Sequence, residues 1–293
     1  MSVSYAATLP AFAPDDDREP ATVEDFVRDY VRPGRPVVFR GGVKQWPAVS
    51  LWSPEYLASY VAYSGDIEVA CRRRSATPAS ADAPPPPWIW ARTSLRGMLE
   101  ECAGAAGEDE AEVYVPGLDV SENDTLSVDL ARPEMLPPGK HSRVTIFFGR
   151  NTQCNGHYHP RVQAFLCQVQ GKKRVWMYPP SEVGKLYMHP VWRRRYYASQ
   201  VDFYGDRSRY PRVERAKAQL FELNPGDVLF IPMHWLHVPE GRGWSVSVTH
   251  WWKPDLMEWP VNALTVRTLV GLALRAVRKA LERKRPAESP EEA

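Results

Sequence analysis

The chain has 293 residues, 44% of them hydrophobic and 25% charged, which is enough apolar material to bury a core and excludes disorder for most of its length. With 37 basic against 35 acidic residues the formal net charge is +2, so no global field calls for nucleic acid or an anionic membrane, and any such partner must be met locally. The four cysteines, Cys71, Cys102, Cys154 and Cys167, form no CxxC pair and are too sparse for a disulfide scaffold, which points to a reducing cytoplasm.

The opening MSVSYAATLPAFAPDDD lacks a basic segment followed by an apolar one, and no run of eighteen apolar residues occurs, so neither export nor a membrane span is expected. Residues 1–20, with their Asp15-Asp16-Asp17 run, read as a flexible arm. Thr22 is a good helix N-cap with Asp25 three residues on, and Val23, Phe26, Val27 and Tyr30 follow at helical spacing up to Pro33-Gly34. A short strand, Pro36 to Arg40, ends at Gly41-Gly42. After a Trp46-Pro47 turn, Ser53 opens a second helix from Pro54 to about Val61. Residues 75–87, SATPASADAPPPP, are a loop or polyproline insertion, because proline removes backbone donors.

From Val144 the pattern turns to short β runs, VTIFFG, AFLCQVQG, KRVWMYP, AQLFEL, DVLFIP and WSVSVTHWW, punctuated by Gly and Pro. They predict a double-sheet or closed barrel. Residues 260–285 return to helical spacing, with Leu264, Leu269, Leu272, Val277 and Leu281 among arginines. The apolar side of that helix has three outlets: its own barrel, a second copy in a homodimer, or a membrane surface. Residues 286–293 form an acidic, mobile tail. Residues 21–259 therefore make one mainly β domain with flanking helices.

Two clusters carry the chemistry. In Asn155-Gly156-His157-Tyr158-His159-Pro160, extended alternation puts His157 and His159 on one side, where two imidazoles can reach one ion. NPGDVLFIPMHWLH, which ends at His237 eighty residues after His157, runs an apolar strand into His234 and His237, either of which could supply a third ligand; His237 is favoured because it has the more suitable loop behind it. Three facial imidazoles leave coordination positions open, as a catalytic centre requires. A lone histidine is more often a strand-end hydrogen-bonding group, and His141, His189 and His250 are read so.

The segments FVRDYVRPGRPVVFRGGVKQWPA, GHYHPRVQAFLCQVQGKKRVWMYPPSE, VDFYGDRSRYPRV and NPGDVLFIPMHWLHVPEGRGWSVSVTHWW together resemble the JmjC-type, cupin-like 2-oxoglutarate oxygenases. The likeness, over residues 22–255, extends to the asparaginyl hydroxylase that inhibits hypoxia-inducible factor and to the tRNA wybutosine hydroxylase. The resemblance implies a double-stranded β-helix (jelly-roll) fold. It also implies an Fe(II) centre on His157, His159 and His237, with 2-oxoglutarate anchored by Lys173. Strand alternation supports the lysine, turning Lys173 inward and Lys172 outward. Thr145, Tyr114 and Thr249 are further candidates to hold the co-substrate; the family's threonine falls on Cys154, with Thr152 nearby, and Thr249 stands where an Asn is common. The sequence departs from the family in carrying His159 where an Asp is usual, and one extra residue before Gln168 calls for a bulge.

The implied activity is a 2-oxoglutarate-dependent hydroxylase acting on a protein or peptide side chain. The other readings are a three-histidine dioxygenase that needs no 2-oxoglutarate and a non-catalytic cupin binding module. Trp192-Arg193-Arg194-Arg195-Tyr196-Tyr197, with Arg207, Arg209, Arg212 and Arg215, could meet an acidic peptide or RNA, or be a solvated loop.

Overall fold

The computed structural model describes residues 11–12, 19–74, 89–104, 112–120, 124–140 and 143–283. Most of the expected N-terminal arm, the proline-rich insertion, His141 and the acidic tail lie outside them. The elements in order begin with β1 (Ala11–Phe12), α1 (Val23–Phe26, continued by a π turn to Val31), β2 (Val37–Phe39), α2 (Pro47–Leu51) and α3 (Pro54–Ser64). Then come β3 (Glu68–Arg74), β4 (Ile89–Ser94), α4 (Leu95–Gly104), β5 (Glu112–Asp119) and α5 (Asp124–Ser127). The remainder is β6 (Arg143–Arg150), β7 (Gln163–Tyr178), β8 (Ala218–Leu223), β9 (Val228–Ile231), β10 (Leu236–Trp252) and α6 (Ala263–Arg283).

Both early helices start where capping chemistry dictates. Thr22 accepts from the Asp25 amide and Ser53 from the Tyr56 amide, each satisfying a donor that the first turn leaves open. Phe26 then plugs α1 into the sheet, with its ring 5.4 Å from Phe39, 5.3 Å from Phe165 and 4.9 Å from Phe230. Burying one such ring contributes about 2–3 kcal/mol.

The strands run β1-β8-β7-β10-β6-β5-β3-β4, with β9 pairing both β7 and β2, and among the described residues all ladders are antiparallel except β1 with β8. Two long strands make the barrel. The first half of β7, Ala164–Cys167, pairs with β9 and its second half, Lys173–Met177, with β8, while β10 pairs with both halves. Between the halves the β10 register slips from Arg242 to Ser247, and Gly171 opposite takes φ +67°, where an added Cβ would collide with the Trp244 carbonyl. The bulge bends both strands, so that each belongs to two faces of a jelly roll.

That bend corrects the sequence reading at two places. AFLCQVQG and KRVWMYP are not two strands but one, because Gly171 serves a bulge rather than a hairpin turn. His237 does not close the strand DVLFI; it opens β10, and WSVSVTHWW is that strand's second half. Strands β3, β4 and β5, which sequence reading passed over, extend the sheet beyond β6.

The outer face of the sheet packs against α1 to α4 through Phe165, Cys167, Val169, Val246 and Val248. α6 lies on its own domain through Leu264, Thr268 and Gly271, the last leaving room for the Tyr196 ring; it keeps Val266, Leu269, Val270, Leu274 and Val277 exposed. Among the described residues no helix is long and apolar enough to cross a membrane, and all four cysteines are free thiols.

Candidate metal centre

Residues 155–159 and the start of β10 are joined backbone to backbone. The His157 amide donates to the His237 carbonyl at 3.2 Å and the His237 amide returns to His157 at 2.9 Å. The His234 amide donates to the His159 carbonyl at 3.2 Å. His234 takes φ +71° in the Pro232–Trp235 turn, which points it away to meet Thr268 Oγ1 at 3.4 Å under α6. Of the two histidines the sequence offered, the favoured His237 lies with His157 and His159, and His234 lies under α6.

One ligand atom each from His157, His159 and His237 can be chosen so that all lie within 4.8 Å of one another, the one such cluster among the described residues. The Nδ1 atoms of His157 and His237 face the carbonyls of Asn155 and Trp235, both at 3.0 Å, which fixes the tautomer and turns each Nε2 lone pair toward the cluster. His159 is buried with both ring nitrogens unpaired, an arrangement that costs free energy unless a further group completes it. Burial and the neighbouring imidazoles push His159 and His237 well below the ordinary histidine pKa, so both are neutral lone-pair donors. Burial is the largest influence on His157 and opposes its charge, but Cys154, 3.9 Å from its Nδ1, and the Asn155 carbonyl together leave that pKa raised. A divalent ion that accepts imidazole fits this donor set.

The barrel wall beside the triad is polar in a pattern that period two makes legible. On β10, Ser245, Ser247 and Thr249 face inward while Val246 and Val248 join the outer core. Lys173 is buried and Lys172 exposed, as alternation requires. The Lys173 ammonium donates to Ser247 Oγ, which donates to Gln168 Oε1 at 2.6 Å, and Gln168 Nε2 donates to Ser245 Oγ at 3.2 Å. No carboxylate pairs with Lys173 among the described residues, and burial pulls its pKa down to about 8. A buried ammonium whose hydrogen-bonding partner is only a hydroxyl keeps donors that an anion can use.

The remaining candidates sit around this wall. Thr249 is the register partner of Thr145 across β6, and its hydroxyl is buried without a partner. Thr145 accepts from Trp251 Nε1 at 3.1 Å, and the Trp251 ring packs edge-on against His159 with centroids 4.6 Å apart. Tyr114 is buried on β5, near enough to Cys154 for their charges to interact. Trp251, Gln168 and the two serines escaped the sequence reading as site-lining residues, although the alternation in WSVSVTHWW carries the signal for three of them. His250 points the other way, against Trp46.

The pattern of the cupin-like domain matches residues 23–257. Among similar proteins, lysine-specific demethylase 8 of Xenopus tropicalis is 27% identical over 245 residues, covering 79% of this chain and 51% of that protein. tRNA wybutosine-synthesizing protein 5 of Gallus gallus is 28% identical, covering 79% and 74%. The chain spans about half the length of several curated relatives it matches. The X-ray structure of E. coli ycfD superposes with a TM-score of 0.51 at 18% identity, covering 94% of this chain and 62% of that one, a likeness of fold. With a family pattern spanning residues 23–257, most of the jelly roll, and a Jumonji C domain-containing protein 5 of Drosophila melanogaster also among its relatives, this chain belongs to the cupin-like JmjC domain family.

Proposed function

We propose that the protein is an Fe(II)- and 2-oxoglutarate-dependent hydroxylase acting on a protein or peptide side chain. The observation that carries this reading is the pairing, in one barrel, of three converging imidazoles with a buried lysine that has no carboxylate partner. His157, His159 and His237 would hold the metal. Iron with 2-oxoglutarate supplies the oxidising power for hydroxylation, and the chain binds, orients and shields the reactants. Lys173 would hold the far carboxylate of 2-oxoglutarate. Ser247 accepts from Lys173, Thr249 has a buried hydroxyl without a partner and Thr145 is its register partner, so these hydroxyls would accept or donate a hydrogen bond to the co-substrate.

His159 in place of the family's Asp leaves the ion's two positive charges uncompensated by the protein. A dianionic co-substrate compensates them, which is a physical reason for 2-oxoglutarate to bind more strongly here rather than less. The names of the relatives speak of lysine demethylation and of tRNA wybutosine synthesis, and the former is compatible with a protein or peptide side chain as substrate. The four free cysteines support a cytoplasmic setting.

The test is anaerobic titration of the Fe(II)-loaded protein with 2-oxoglutarate, following the visible charge-transfer band of metal chelation. The band is expected with the native chain, weakened in Lys173→Ala and absent in His157→Ala and His237→Ala, which should also lose bound metal. Metal binding without a band would favour the dioxygenase that uses three histidines and no 2-oxoglutarate; undiminished metal in both histidine variants would refute the site.

A further inference from the structure

The metal hairpin, residues 155–159 with the start of β10, has a second neighbour. His157 is a bridge partner of His237 on one side and of Ala198 on the other; the Tyr158 amide donates to the Tyr197 carbonyl at 3.0 Å and the Ser199 amide to the Gly156 carbonyl at 2.9 Å. Tyr197 to Ser199 belong to a segment, residues 186–200, that turns back on itself. Its limbs meet where Met188 bridges Ser199, where the His189 amide donates to the Ala198 carbonyl at 3.0 Å, and where the Gln200 amide donates to the Tyr187 carbonyl at 2.9 Å. Residues 155–159 therefore lie between β10, which carries His237, and a segment that carries none of the three histidines.

α6 holds that segment from behind. Arg267 Nη2 donates to the His189 carbonyl on one limb and to the Tyr196 carbonyl, at 3.2 Å, on the other, so one guanidinium ties the two limbs together. One turn further along the helix, Gly271 lies against the Tyr196 ring, where an added Cβ would come within 3.3 Å of it. After another turn Arg275 lies 4.7 Å over the same ring and donates to its hydroxyl at 3.1 Å. Fully buried Thr268 meets His234, whose amide donates to the His159 carbonyl. The inward face of α6 thus reaches the backbone neighbours of His157 and His159 without supplying a ligand.

We propose that Arg267 is a positioning residue for the metal centre: by pinning both limbs of residues 186–200 it sets the backbone of residues 156–158, and with it the point on which the His157 and His159 rings converge. This rests on the three-histidine site and not on the use of 2-oxoglutarate. A hydrogen bond from a charged donor is shorter and stronger than one between neutral groups, and here one such donor serves a carbonyl on each limb. Seating α6 on the domain needs no such span, because Leu264 already buries itself among Tyr158, Leu186 and Leu236. Metal ligands tolerate little displacement, and groups that hold them from behind are known to govern affinity even though they never touch the ion.

The experiment uses the full chain with Co(II) as the probe, because its visible d–d bands report ligand number and geometry. Native protein, Arg267→Met, Arg267→Lys and Gly271→Leu are titrated with Co(II), and hydrogen exchange of the segments around Tyr158 and Ser199 is followed by mass spectrometry in the metal-free proteins. Methionine removes both donors, lysine keeps the charge and enough donors for two carbonyls, and leucine at 271 keeps every donor while pushing the helix off the Tyr196 ring. Arg267→Met should weaken Co(II) binding about tenfold, change the d–d bands at saturation and speed exchange in both segments. Arg267→Lys should recover most of each loss, and Gly271→Leu should move in the direction of Arg267→Met. Val266→Ala, on the exposed face of the same helix, should change none of them. An arginine that only anchors α6 would lower the urea midpoint in Arg267→Met and leave Co(II) affinity, bands and exchange at native values, which would overturn the proposal, as would equal losses with Met and Lys. If Arg267→Met does not fold, a native-like Arg267→Lys beside a weakened Gly271→Leu upholds the proposal and any other pairing overturns it. A native chain that binds no Co(II) would remove the three-histidine site, while the exchange rates would still decide whether Arg267 fixes the hairpin.

Discussion

Replacing Lys173 by Met should make the protein without co-substrate more stable while disabling the site. Lys173 is only 4% exposed and its ammonium donates to Ser247, so the folded state holds a charge that the unfolded chain would hydrate fully. Burial lowers its pKa from an ordinary 10.5 to about 8, which corresponds to a cost on the order of 3 kcal/mol at pH 7. Below pH 8 both states bind the proton and the cost is fully present. Between pH 8 and 10.5 the unfolded chain keeps a proton that the folded lysine has released, so native stability rises with pH across that window. Methionine has a similar linear reach and no charge, and its thioether leaves Ser247 with one partner fewer, a loss of about 1 kcal/mol. Urea denaturation should therefore find Lys173→Met about 1–3 kcal/mol more stable than the native chain at pH 7, with the gap closing by about 2 kcal/mol at pH 10. Saturating 2-oxoglutarate with the metal present should stabilise the native chain and not the variant. A variant less stable at pH 7, with a gap that does not move with pH, would refute the picture of an uncompensated buried cation.

His159→Asp, which restores the family's usual residue, should retain metal and the 2-oxoglutarate band; metal content by mass spectrometry checks it, and loss of the ion would show that the imidazole's reach is needed at this position. Asp227 is buried at the turn into β9, where it accepts from the amides of Gly41 and Asn224, both at 2.9 Å, and pairs with Arg40 at 2.8 Å. Asp227→Ala should cost about 2–3 kcal/mol in urea denaturation, most of it from the two orphaned amides because Arg40 is solvent-exposed, and a loss under about 0.5 kcal/mol would show that the turn does not depend on it.

Helix starts, the β character of the second half and the inward turn of Lys173 were legible in the sequence because each follows from chemistry within a few residues: an N-cap hydroxyl, a period of two, a proline. The resemblance supplied the jelly roll, and the pair His157 and His159 was visible as spacing. What the local code did not reveal was Gly171. A glycine between two apolar runs reads as a turn, and only the pairing of β7 with β8, β9 and β10 at once makes it a bulge inside one strand.

The same limit governs the site. Sequence offered His234 or His237 and favoured His237, but only the fold, with the left-handed turn at His234, sends the His234 ring under α6 and the His237 ring beside His157 and His159. It placed Trp192–Tyr197 in a basic stretch, but the hydrogen bonds from Tyr158 and Ser199 brought that stretch to the metal hairpin. Composition and periodicity set which residues are buried and which face they take, since those are properties of neighbours in the chain. Which buried groups meet depends on contacts across many tens of residues, and there the free energy of the whole fold, with its bulges and tightly packed helix, makes the choice.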